Sequence, residues 1–112
     1  PVAPQTLALL FAADRLDHWH NEIEPALKQG IWVLSDRYLW SSLAYQSLDC
    51  PEDWIASINR YAPLPDVTLL IDIEPDEAAA RRRRDGRRIE IFDALDRQQR
   101  VADAYRRFVR ER

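Results

Sequence analysis

Residues 31–47 read Ile31-Trp32-Val33-Leu34-Ser35-Asp36-Arg37-Tyr38-Leu39-Trp40-Ser41-Ser42-Leu43-Ala44-Tyr45-Gln46-Ser47. An apolar run enters a polar turn that carries an acid and a base, then a stretch of hydroxyl and aromatic groups. A short, continuous apolar run of this kind is predicted to be a strand buried on both faces of a parallel sheet. Ligands of such sheets gather beyond the carboxyl ends of the strands, which is where Asp36 and Arg37 fall. A carboxylate there can hold Mg²⁺ directly or through water, and a guanidinium can grip a phosphate in two places. As a bare dipeptide the pair reads equally as a structural ion pair or a solvated turn. Its position after the apolar run favours phosphate chemistry.

Working outward, residues 5–29 are predicted to form one long helix, with Leu7, Leu10, Phe11, Leu16, Trp19, Ile23 and Leu27 at mostly three- and four-residue spacings. Pro25 should kink or reset it, because its ring displaces a carbonyl and it has no N–H. Gly30 is placed to end it as a left-handed cap. Downstream, short helices are expected over 40–46 and from Pro51 to about residue 61, followed by a Pro-rich loop over 62–66. Residues 67–73, Val-Thr-Leu-Leu-Ile-Asp-Ile, form the clearest strand pattern in the chain. Pro75 opens another helix, and a last one is expected over about 92–109 with Leu95, Val101, Tyr105, Phe108 and Val109 on one side. Apolar runs joined by helices place the chain in the α/β class, with a parallel sheet covered on both sides.

Charge is distributed unevenly. Residues 1–80 hold 13 acids against Arg15, Lys28, Arg37 and Arg60, whereas residues 81–112 hold 12 arginines against six acids, so the C-terminal third is basic and calls for an anionic partner. No apolar run approaches the roughly 20 residues that a membrane helix needs, and the lone Cys50 can form no internal disulfide. The cytoplasm is therefore the expected compartment. His18 and His20 lie two apart on a helix and cannot face one metal, and the four tryptophans read as packing rather than as a nucleic-acid platform. The start at Pro1 and the lack of methionine lead to the expectation of a segment of a longer chain.

Four segments together carry a family likeness: Leu9-Leu10-Phe11-Ala12-Ala13-Asp14-Arg15, Ser35-Asp36-Arg37-Tyr38, Ser41-Ser42-Leu43-Ala44-Tyr45-Gln46 and Arg87-Arg88-Ile89-Glu90. In this order and spacing the chain resembles thymidylate kinases over about residues 7–109. The resemblance implies a three-layer P-loop kinase fold, a parallel sheet flanked by helices. The chain would be an incomplete segment of it, the central and C-terminal portion of a single domain (1–112), with two core strands, helices and a lid at about 81–91. It implies ATP-dependent phosphorylation of dTMP to dTDP, with ATP and Mg²⁺ as cofactors and a homodimer as the assembly, and no nucleic-acid or membrane partner.

By the same resemblance, Phe11 stacks on thymine and Arg15 bonds a base oxygen. Asp36 lies near the metal and acceptor phosphate, Arg37 clamps the monophosphate, and Ser42, Tyr45 and Gln46 line base and sugar, Tyr45 excluding a 2′-hydroxyl. The arginine tract corresponds to a lid that closes over the donor nucleotide. Its candidates are Arg81, Arg84 and Arg88 for ATP and Arg84 and Arg87 for the transferring phosphate. Simpler readings stand beside these: Phe11 and Tyr45 as core aromatics, Arg15 as a surface charge, the arginines as a solvated helix end.

Thymidylate kinases also carry a Gly-x-x-x-x-Gly-Lys-Ser/Thr phosphate loop. The two glycines here, Gly30 and Gly86, and the single lysine, Lys28, do not form one. The segment alone is accordingly expected to be inactive with ATP. The alternatives are another nucleoside or nucleoside-monophosphate kinase of the same fold, or a non-catalytic anion-binding fragment.

Overall fold

The computed structural model describes residues 1–85 and 93–111. The chain divides into two compact units, Pro1–Asp66 and Val67–Arg112.

In the first unit, Pro4 sets the start of helix α1 (Pro4–His18), where its missing N–H costs nothing. The expected effect of Pro25 is realised one turn upstream. The backbone widens into a π-helical turn over Trp19–Ile23, and the Glu24 N–H reaches the Trp19 carbonyl. Helix α2 (Glu24–Lys28) then restarts with Pro25 in its first turn. This arrangement absorbs the proline without breaking the rod. The Glu24 carboxylate braces the turn, accepting from Trp19 Nε1 at 3.1 Å and from Lys28 Nζ at 3.0 Å. Lys28, by hydrogen bond and by charge, and then Trp19 hold the Glu24 carboxyl below its ordinary 4.5.

Gly30 closes α2 as expected. At φ +77° it lets its N–H reach the Leu27 carbonyl at 3.0 Å and the Ile31 N–H reach Ala26 at 3.0 Å, the paired bonds of a Schellman cap. Helix α3 (Leu39–Tyr45) follows, then a 3₁₀ turn (Gln46–Leu48) and helix α4 (Glu52–Ile58), which Pro51 precedes rather than enters. α1 packs on α3 and α4, and α3 packs on α4. Ala8, Leu39, Leu43, Ala44, Cys50 and Ile55 form the core of this unit.

In the second unit, helix α5 (Pro75–Arg84) starts at Pro75, with Asp76 and Glu77 at its positive end. It packs on α6 (Asp93–Arg110). The buried stripe of α6 is narrower than predicted: Val101 and Phe108 are covered, whereas Leu95 and Val109 are exposed. Arg106 of α6 holds Asp72 through Nε at 3.0 Å and Glu74 through Nη2 at 3.1 Å, fixing the chain where it enters α5.

The two expected strands are not formed. Residues 31–34 and 67–73 carry no strand structure, and no β-strand occurs among the described residues. Trp32 is 96% exposed, Leu34 93%, Leu69 82% and Ile71 90%, so these runs are surface rather than core, and Trp32 is not a packing residue. The reason is physical. A strand requires a neighbour to pair its N–H and C=O groups, and the described residues supply none. No described helix is long and apolar enough to cross a membrane.

Two outcomes follow. No atom lies within 4 Å of a β-carbon added at Gly30, so Gly30→Ala should cost only the left-handed backbone penalty, about 1–2 kcal/mol, measured by denaturant unfolding. The depressed Glu24 carboxyl contributes stability above its ordinary 4.5 that is lost as pH falls through the lowered value. Glu24→Gln should therefore lower Tm at pH 7, and the gap should close on acidification.

Candidate functional site

Phe11 and Arg15 lie one turn apart on α1 and project from the same face. Phe11 is exposed at 45%, so its ring is available to a ligand rather than spent on the core. Arg15 is half-buried and reaches across to α3 and α4. Its Nη1 donates to Asn59 Oδ1, and its Nη2 donates to the Tyr38 carbonyl at 3.2 Å and to Ser42 Oγ at 2.8 Å. All three acceptors are neutral. Three of the five guanidinium N–H groups are thereby taken, leaving Nε–H and one Nη1–H without an acceptor among the described residues.

Burial lowers the Arg15 pKa from its ordinary value, against the opposing pull of Tyr38 and Asp14. A guanidinium nonetheless stays charged at neutral pH. Its carbon lies 5.7 Å from the centre of the Tyr38 ring. The Tyr38 hydroxyl donates to the Pro63 carbonyl at 2.8 Å, and burial pushes its pKa up from 10.0, so it remains a neutral donor.

Ser42 was expected to line the base and sugar. It is buried, and its hydroxyl is turned onto Arg15. Asn59 is also buried; its Nδ2 donates to the Ile55 carbonyl at 2.9 Å, which turns Oδ1 toward the guanidinium. Sequence reasoning missed Asn59. An asparagine at the end of a helix before a Pro-rich loop reads as a terminator, and nothing in its spacing ties it to Arg15.

Just ahead of α3, Arg37 lays its guanidinium over the ring of Tyr45 at the end of that helix, 5.2 Å from its centre, so two more predicted site residues are brought together. Arg37 is the only non-glycine residue with positive φ among the described residues, at +70°, and its carbonyl accepts from Ser35 Oγ at 2.7 Å. A long side chain in this backbone region is strained. Asp36 is exposed beside it, and Gln46, half-buried, begins the 3₁₀ turn. No three metal-ligating side chains converge among the described residues. One exposed carboxylate fits Mg²⁺ held largely by water and phosphate oxygens, not a protein cage.

The predicted lid arginines divide. Arg81 is engaged by Glu77 one turn earlier at 3.3 Å, and Arg84 is exposed in the last turn of α5. Arg87 and Arg88 lie outside the described residues.

The strain at Arg37 sets a sharp expectation. Arg37→Gly and Arg37→Ala both remove the guanidinium, but glycine also relieves the backbone. The glycine variant should be the more stable by about 1 kcal/mol in denaturant unfolding. Equal stability, or a more stable alanine variant, would show that the turn is not strained.

A family model described as Thymidylate kinase matches residues 1–112. The chain is 41% identical over 103 residues to a "Probable thymidylate kinase" of Pyrobaculum calidifontis, covering 91% of this chain and 53% of that protein. Against proteins of the same name it is 44% identical over 102 residues in Methanococcus maripaludis (90% and 49% covered) and 44% over 109 residues in Thermococcus gammatolerans (93% and 50%). The chain thus spans about half the length of the curated relatives it matches. With Phe11, the Arg15 fork and the Asp36-Arg37 turn all inside the matched region, the chain belongs to the thymidylate kinase family.

Proposed function

We propose that the full-length protein transfers the γ-phosphoryl group of ATP to dTMP, giving dTDP, and that this chain supplies the acceptor side of the reaction. Membership of the family, whose fold is that of the P-loop kinases, supports this reading. The observation that carries it is the Arg15 fork: a half-buried cation with two N–H groups to spare, one helical turn from an exposed phenyl ring. A pyrimidine stacked on Phe11 brings a base oxygen to those N–H groups.

Arg37 grips the acceptor phosphate, and its cation–π contact orders Tyr45 against the deoxyribose, where a 2′-hydroxyl would meet a packed ring. Gln46 completes that wall, while Ser42 acts by holding Arg15. Catalysis on this reading is alignment plus charge neutralisation. Asp36 would hold Mg²⁺ together with nucleotide phosphates, and the ion, when bound, neutralises phosphate charge. Arg84, with Arg81, Arg87 and Arg88, belongs to a lid at about 81–91 that closes on ATP.

The same proposal includes the parallel sheet. In the full-length protein, residues 31–34 and 67–73 are strands with helices on both faces, and the donor phosphate loop lies outside these 112 residues. A cytoplasmic homodimer, without nucleic-acid or membrane partner, completes it.

A coupled assay of the full-length protein with dTMP, dUMP and dCMP tests the reading, and absence of dTMP turnover by folded protein would overturn it. Arg37→Ala should reduce kcat/KM for dTMP about 10²–10³-fold. Arg15→Ala should erode discrimination between dTMP and dCMP by about tenfold or more, the worth of a hydrogen bond to a charged group.

A further inference from the structure

We propose that Asn59 is a positioning residue that sets the plane of the Arg15 guanidinium and, through it, the choice of acceptor base. The inference rests on the dTMP kinase reading above and deepens it. Asn59 lies at the C-terminal end of α4, 4% exposed, 44 residues from Arg15 in sequence. Its amide is fixed from both sides. Nδ2 donates to the Ile55 carbonyl at 2.9 Å, so Oδ1 alone is left to face Arg15 Nη1. On Nη2 the Tyr38 carbonyl and Ser42 Oγ take both N–H groups. Held at both terminal nitrogens, a planar guanidinium cannot turn about its axis, and its remaining Nη1–H and Nε–H point in one set direction.

The acceptor is an amide, not a carboxylate, and this matters for selection. A neutral partner orients the cation without cancelling its charge, so the spare N–H groups keep their full strength as donors. They favour a base edge that presents an oxygen and disfavour one that presents an amino group, because two donors facing each other leave buried polar groups unpaired. Loss of Asn59 Oδ1 frees the fork to rotate while Phe11 and Arg37 are untouched. The effect should fall on base choice rather than on phosphate transfer.

The test measures kcat and KM for dTMP and dCMP in full-length Asn59→Leu, Asn59→Asp, Arg15→Ala and the Arg15→Ala/Asn59→Leu double variant. Asn59→Leu should lower the dTMP:dCMP ratio of kcat/KM about tenfold, mainly through KM for dTMP. The double variant should select no worse than Arg15→Ala alone, since the effect passes through that side chain. Asn59→Asp keeps an oxygen toward Arg15 but sets its other oxygen against the Ile55 carbonyl. It should therefore lose stability and, because its carboxylate offsets part of the guanidinium charge while still orienting it, lower the ratio by about threefold, less than Asn59→Leu does. Should Asn59→Leu fail to fold, Asn59→Ser, whose oxygen is too short to reach Nη1, takes its place with the same expected fall. A ratio that is unchanged in Asn59→Leu or Asn59→Ser, or that tracks Tm across the variants, overturns the proposal while the kinase reading stands. A wild-type protein that does not phosphorylate dTMP overturns both.

Discussion

A cation drawn into the junction of three helices is the constraint on which the first unit depends. Arg15 leaves α1 and ends on the carbonyl before α3, a hydroxyl inside α3 and an amide at the end of α4. Taking a guanidinium partly out of water costs several kcal/mol unless its N–H groups find acceptors, and each hydrogen bond to a charged group returns roughly 1.5–3 kcal/mol. The three helices must therefore meet in one arrangement, the one that brings Tyr38, Ser42 and Asn59 to the same fork. Ser42, expected to line base and sugar, thus becomes part of the frame that holds Arg15: its hydroxyl is committed to that side chain and is buried.

A second constraint lies in the backbone. Left-handed geometry occurs at Gly30, where glycine adopts it freely, and at Arg37, where it does not. The second turn carries a charged side chain, with the Arg37 guanidinium over Tyr45. Strain persists where the surroundings over-determine it. Here the Ser35 hydroxyl on the Arg37 carbonyl and the start of α3 at Leu39 hold the turn from both sides.

Helices were legible in the sequence because their punctuation is local. Pro4, Gly30 and Pro75 each mark a boundary through their own geometry, and Pro25 announces the π-helical turn that precedes it. The strands were not, because apolar character identifies a segment fit for a sheet without supplying its neighbours. Residues 31–34 and 67–73 have the composition of buried strands and the exposure of surface. The site divides along the same line. Phe11 and Arg15 share a helix face by spacing alone, and Arg37 and Tyr45 lie in one short segment. Asn59 joins only through the packing of α4 on α1, a long-range contact with no trace in local pattern. Arg106 is hidden likewise, one arginine among many on α6 until its bonds to Asp72 and Glu74 single it out.

The most direct measurement is a crystal structure of the full-length protein with dTMP bound. The thymine ring should lie against Phe11, with a base oxygen within hydrogen-bond distance of Arg15 Nη1 or Nε while Nη1 still donates to Asn59. A base bound away from Arg15, or an Arg15 that abandons Asn59, Tyr38 and Ser42 to reach it, would contradict the account.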